Sequence, residues 1–210
     1  MNNYQDGVNL ELETVINDLE VKDMTNLKEK LRSLDIEVNI KDDSDEDLYL
    51  ISNKYIKENK MRISNLEREC RSIILNKSLD IICYGYDDIY YNQDAKNYIL
   101  KNGLDKNYTI QECFEGTLLS LFNYNGKWFL STRQCIDSKN SKWTSDKSHY
   151  EMFLDCIEIS FNEFTNYLKE NLNYFFVIVH HENKNIVDYS EYFEKEDYKE
   201  VIHVMTRERD

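Results

Sequence analysis

Residues 112–119 read Glu112-Cys113-Phe114-Glu115-Gly116-Thr117-Leu118-Leu119. The chain continues through Ser120-Leu121-Phe122, an Asn125-Gly126 pair, Trp128-Phe129-Leu130 and Ser131-Thr132-Arg133. An Asn-Gly pair between two apolar runs is a strong hairpin signal, because both residues tolerate the left-handed backbone that a tight turn of matching twist requires. The stretch therefore predicts two antiparallel strands, 117–122 and 128–132, entered through a glycine. Similar short apolar runs stand on either side: 72–75 and 81–84 before it, 174–179 and 201–205 after it. Residues 109–113 and 186–189 read as two further strands.

Helical spacing occupies 9–34. Leu10, Val15 and Leu19 recur on one face, then Leu27, Leu31 and Leu34 follow a cap expected at Thr25. At Ile36, Val38 and Ile40 the apolar period changes to two, which predicts a strand. Residues 48–52 read as its returning partner across an acidic loop at 42–47. Further helices are expected at about 93–101, closed by Gly103 in a left-handed cap, and at about 161–171, capped by Ser160. The fold class is α+β with mainly antiparallel sheet. Its expected division is an acidic, largely helical N-terminal segment, 1–47, and a domain at 48–210.

Composition restricts the function classes. The formal net charge is −14 and the isoelectric point about 4.8. The first fifty residues hold fourteen acidic residues against five basic ones, including the run Asp42-Asp43-Ser44-Asp45-Glu46-Asp47. Duplex binding draws its affinity from basic side chains that displace counterions from phosphate, so tight non-specific duplex binding is not expected. The acidic N-terminal segment suits a basic protein partner instead. Pro is absent and there are only five Gly, while Asn, Asp, Lys, Ile and Tyr crowd the chain, a mixture that an AT-rich genome writes. Cys70, Cys83, Cys113, Cys135 and Cys156 form no Cys-x-x-Cys pair. With no secretory signal and no apolar run of membrane length, reduced cysteines in an intracellular, cytoplasmic protein are the natural reading, and no metal site is expected.

Three stretches, in order, resemble the nucleotidyltransferase domain of RNA ligases of the bacteriophage type. Glu69-Cys70-Arg71-Ser72-Ile73-Ile74-Leu75, followed by Ile89-Tyr90-Tyr91-Asn92, is similar to that family's Arg-Gly strand and its Lys-Phe-Phe-Asn. Glu112 to Leu119, the hairpin and Ser131-Thr132-Arg133 stand where the family has Lys-x-Asp-Gly-Ser and a later Thr-Arg. Tyr174 to Val179 with Glu182-Asn183-Lys184-Asn185-Ile186-Val187 resembles its Phe-Glu-Leu-Val…Glu-Asn-Arg-Ile-Val hairpin. The resemblance covers roughly residues 65–190. The cysteine-bearing version also resembles proteins of large DNA viruses, which implies the host cytoplasm.

That resemblance implies a reaction and also its loss. In the family a lysine amine attacks the α-phosphorus of ATP, and a metal such as Mg2+ with basic side chains holds the triphosphate. The nucleophile's position, two residues before Glu115-Gly116, is Cys113. Ile89 stands in place of a second lysine and Val177 in place of a glutamate. All three departures remove charge. The family's later Glu-Gly-x-Val-Val and Lys-x-Lys strands have no counterpart before Asp210, so the fold is expected to be incomplete at the C-terminus.

The expectation is a catalytically inactive, RNA-ligase-like protein that binds nucleotide or an RNA end. ATP and Mg2+ would be cofactors only if the ancestral activity persists. Nucleotide-binding candidates are Arg71, Glu115, Gly116, Arg133 and Phe176. Arg71 and Arg133 can equally be strand-end arginines paired with acids, and Glu115-Gly116 can equally shape a bend between strands. Lys127 and Lys139 are candidates to replace the missing lysine, and His180-His181 to touch phosphate or metal. Trp128 and Trp143 suit core or cover better than base stacking. Two alternatives stay open: an active enzyme using a displaced lysine or a partner chain, and an acidic interaction or scaffold protein.

Overall fold

The computed structural model describes residues 4–5, 10–42, 44–53, 64–85, 92–103, 110–183 and 186–209. In chain order the elements are β1 (Tyr4–Gln5), α1 (Glu11–Asn17), α2 (Met24–Ser33), β2 (Val38–Lys41), β3 (Leu48–Asn53), α3 (Asn65–Glu69), β4 (Ile73–Asn76) and β5 (Ile81–Tyr84). There follow α4 (Asn92–Asn102), β6 (Thr117–Tyr124), β7 (Lys127–Thr132), a 3-10 turn at Ser138–Asn140, α5 (His149–Ile157), α6 (Phe161–Thr165), β8 (Leu172–His180) and β9 (Lys199–Glu208). The class is α+β. Strands β2-β3-β4-β5 form an antiparallel meander. The second sheet, in the order β1-β9-β8-β6-β7, is antiparallel except where β1 runs parallel to β9.

The sheets stack face to face because their strands are apolar on both sides. Leu48, Leu50, Ile74, Ile82 and Cys83 of the meander meet Phe122, Phe129, Phe175 and Met205 of the second sheet, all at most 6% exposed. The outer face of the meander is covered by α1, α2 and α3, through Leu12, Ile16, Leu27, Leu31 and Leu66 against Ile51, Ile73 and Leu75. The outer face of the second sheet is covered by α5 and α6, through Met152, Phe153, Phe161 and Phe164 against Leu119, Leu121, Phe176 and Ile178. The result is four layers: helices, sheet, sheet, helices. Each fully buried Leu, Ile or Phe contributes about 1.5–3 kcal/mol, so these three apolar seams carry most of the stability.

Local signals account for most element ends. Asn125 and Gly126 take φ values of 52° and 78°, as a left-handed two-residue turn needs. Gly103 takes φ 75° and its N–H reaches the Ile99 carbonyl at 2.7 Å, closing α4. Ser160 accepts from the Glu163 N–H and caps α6. Three expectations are corrected. The cap of α2 is Asp23, whose carboxylate accepts the Asn26 N–H at 2.8 Å, and Thr25 lies inside the helix. The helix expected over 161–171 stops at Thr165. Residues 110–113 and 186–189 form no strand and are irregular chain. Helix α5 is an element not expected from the sequence, although Ser148-x-x-Glu151 is a capping box: Ser148 Oγ accepts the Glu151 N–H, and Glu151 accepts the Ser148 N–H at 2.7 Å.

Helix α1 is joined to α3 by charge as well as by apolar packing. Glu69, 7% exposed, accepts from the Glu11 N–H at 3.0 Å and the Leu12 N–H at 2.8 Å, so a carboxylate 57 positions away satisfies the first turn of α1. Strand β2 pairs with β3 along its whole length. Replacing Glu69 by Ala is expected to cost about 2 kcal/mol, the upper range for a lost cap. A urea midpoint shift several times smaller than that would show that α1 does not depend on this carboxylate.

Candidate functional site

The stretch 110–117 enters β6 beside the far end of β8. Thr117 pairs with Ile178, and the Thr117 hydroxyl accepts from the Asn183 side chain at 2.8 Å. Gly116 is required here by space. A Cβ on it would stand 2.3 Å from the Ile178 carbonyl oxygen and 2.6 Å from Val177 Cγ1. The loop is also clamped from its other side. The Glu115 N–H donates to the Tyr189 hydroxyl at 2.6 Å, the Glu115 carboxylate accepts the Val187 N–H at 2.8 Å, and Glu112 accepts from the Tyr192 hydroxyl at 2.8 Å. Phe114 sits among Tyr189, Tyr192 and Phe193, with ring centroids 5.3–5.9 Å away.

Sequence candidates separate accordingly. Cys113 is an exposed free thiol on this loop. Glu115 and Gly116 hold the loop to β8 and to residues 187–189. Arg133 is exposed, in the tight turn where Thr132 and Cys135 bond to each other just after β7. Phe176 is 5% exposed and packs edge-on against Phe153 and Phe164, each 5.8 Å away, beneath α5 and α6. Arg71 belongs to the other sheet, half-buried in the α3–β4 turn. Ile89 lies outside the described residues. Lys127 bonds Glu46 at 3.3 Å and lies over Phe129, while Lys139 lies over Tyr150. Trp128 faces Tyr174 on the sheet, and Trp143 is 75% exposed.

One group at this end has no local sequence signature. Lys147, at the start of α5, places its ammonium 2.8 Å from Asp155 and 2.6 Å from Glu182. Ser145 adds a bond to the same glutamate at 2.8 Å. Hydrogen bonds to Asp155 and Glu182 raise the Lys147 pKa above its ordinary 10.5, and the hydrogen bond from Lys147 lowers both carboxylates. Behind them His180 is 1% exposed. Its Nδ1 accepts the Glu182 N–H at 3.1 Å, which leaves the proton on Nε2, 3.5 Å from Asp155. Burial lowers its pKa, so the ring is neutral. The ligating atoms of His180, His181 and Glu182 lie within 4.8 Å of one another, as a metal would need. The Lys147 ammonium already supplies a positive charge there. Cys83, by contrast, is buried between the sheets with its thiol pushed up to about 12, too high to serve as a nucleophile.

No family model matches the chain. A relative is found among viral proteins. Over 90 residues the chain is 33% identical to the immediate-early protein ICP-46 homolog of Invertebrate iridescent virus 3, a match covering 39% of this chain and 20% of that protein. The chain is thus related to a protein of a large DNA virus, and spans about a fifth of its length. The relative's name mentions neither a ligase nor nucleotide transfer. Among the described residues no helix is long and apolar enough to cross a membrane.

Two outcomes are expected here. Gly116→Ala forces a backbone shift between β6 and β8 and lowers stability by about 3 kcal/mol, read as a denaturant midpoint. Lys147→Met removes a half-exposed ion pair and costs roughly 1 kcal/mol after solvent screening. The sign of its pH dependence follows from the shifts. The depressed carboxylates stabilise the fold above their ordinary values of 3.8 and 4.5, and that stability is lost as pH falls through their lowered ones. The difference between parent and variant is therefore constant from about pH 6 to 9 and shrinks below about pH 4. A difference that grows on acidification would contradict the assigned pairing.

Proposed function

We propose that the protein is an RNA-ligase-like nucleotidyltransferase relative that does not transfer nucleotide and instead binds a nucleotide or an RNA end. The observation that carries this reading is the chemistry of Lys147, in the charged cluster beside Glu115-Gly116-Thr117. An amine attacks phosphorus only when neutral, and nucleophilic lysines are kept neutral by burial and by neighbouring cations. Lys147 has the opposite surroundings: two carboxylates within 2.8 Å hold it protonated. The position from which the family's lysine would attack is Cys113, and a cysteine there does not make the lysyl adenylate of the family.

Binding without transfer fits the remaining groups. Arg133 is exposed after β7, and the tethered loop carrying Phe114 and Glu115 offers polar and aromatic surface. Incubation with α-labelled ATP or GTP and Mg2+ or Mn2+ is expected to leave no covalent label. A hydroxylamine-labile adduct, lost in Lys147→Met, would overturn the reading and make Lys147 a displaced nucleophile.

A further inference from the structure

A cavity of about 470 Å3 lies where α1 and the β4–β5 turn meet the first residues of β8 and the last of β9. It is within the usual size of small-molecule sites. Its inner wall is polar and buried. Asn173 is 3% exposed and Tyr84 is 4% exposed, and Arg207 lies across the Tyr84 ring at 4.6 Å. Asn173 gives its amide N–H to the Ile82 carbonyl at 3.2 Å, which ties the two sheets together. Its Oδ1 is buried without a hydrogen bond, as is the Tyr84 hydroxyl. Arg209 donates one Nη to the Asn123 carbonyl, while its Nε–H is buried and unbonded.

The charges are arranged to match. By the two-residue period of β9, Met205 and Arg207 share the face toward the meander, and Arg209 follows on the same side. Glu208, between the arginines, alternates to the other face of the strand, although it too borders the cavity. The other carboxylates around the cavity are engaged: Glu13 with the Leu10 N–H at 3.3 Å and Asp80 with the Asn76 amide at 2.8 Å. Among the described residues no carboxylate lies within ion-pair distance of Arg209, and burial lowers its pKa. A half-buried guanidinium whose Nε–H is buried and unbonded, with no carboxylate in reach among the described residues, stands beside an unbonded acceptor and an unbonded hydroxyl, and this destabilises the empty protein. A ligand that brings anionic oxygens and one N–H or O–H donor removes all three penalties.

The geometry points to this cavity as a binding site for a small organic phosphate monoester of about mononucleotide size. The phosphate lies against Arg209 and Arg207, and a hydroxyl or amine of the ligand donates to Asn173 Oδ1. The site is separate from the Gly116 end of the sheet. Asn173 and Ile178 are five residues apart on β8, roughly 17 Å along the strand. A covalent label on Lys147 would therefore sink the preceding proposal and leave this one untouched.

Titration calorimetry of the full chain with inorganic phosphate, ribose 5-phosphate and the four nucleoside 5′-monophosphates tests it. At least one monoester is expected to bind at a single saturable site and more tightly than inorganic phosphate. Arg209→Met is expected to weaken that binding tenfold or more, and Tyr84→Phe about fivefold. Tyr84→Phe removes only an unbonded hydroxyl, so it should unfold no earlier than the parent when ligand is absent, which guards against a trivial folding defect. The inference is overturned if none of the six probes saturates, if inorganic phosphate binds as tightly as the monoesters, or if both variants bind as the parent does.

Discussion

Strands that are apolar on both faces cannot lie at the surface, and in this protein that holds for both sheets. Leu50 and Ile51 are adjacent on β3 and both fully buried, so successive residues of one strand feed two different seams. The same is true of Phe175 and Phe176 on β8, where a bulge between them adjusts the register to β9. Two such sheets can share one interface, but each then needs a second cover. The helix layers on either side meet that need, and the four-layer order follows.

This constraint also fixes where polar groups can gather. The faces are used by the three apolar seams, so chemistry is confined to the ends of the strands. At one end of β8 are Lys147, Asp155, His180 and Glu182, a cluster in which the Lys147 ammonium is paired with both carboxylates beside a neutral imidazole. At the other end are Asn173, Tyr84 and Arg209, with hydrogen-bonding atoms left open around a cavity, and Arg207 beside them. The contrast between an ion-paired cluster and one with open hydrogen-bonding atoms around a cavity separates a structural role from a binding one. Hydrogen-bonded charges brace a fold, whereas buried groups lacking partners are a cost that a ligand can relieve.

The motif residues take their meaning from the same geometry. Glu115-Gly116-Thr117 stands where two strands approach so closely that a single methyl group would meet a carbonyl. Glu115 spends its carboxylate on a loop N–H and Glu112 on a tyrosine hydroxyl. A string that resembles a catalytic motif is thus also a strand-crossing device. Kinship with a viral protein over 39% of the chain is compatible with either use.

The sequence alone determined the elements whose signals are local. The Asn125-Gly126 turn, the Gly103 stop, the Ser160 cap and the two-residue period of β2 each depend on neighbours within a few positions. It therefore yielded the α+β class and most strand positions. It failed where the deciding partner is distant. Residues 110–113 and 186–189 have strand-like composition, yet they form loops whose partners are distant: Tyr189 and Val187 bond to Glu115 about 70 positions away, and Glu112 bonds to the Tyr192 hydroxyl. Lys147 meets Glu182 across 35 residues, Glu69 caps a helix 57 residues earlier, and Asn173 reaches Ile82 across 91. Such contacts leave no periodicity to read. Only the packing of two sheets against each other brings their strand ends together, and that packing decided both the charged cluster and the cavity.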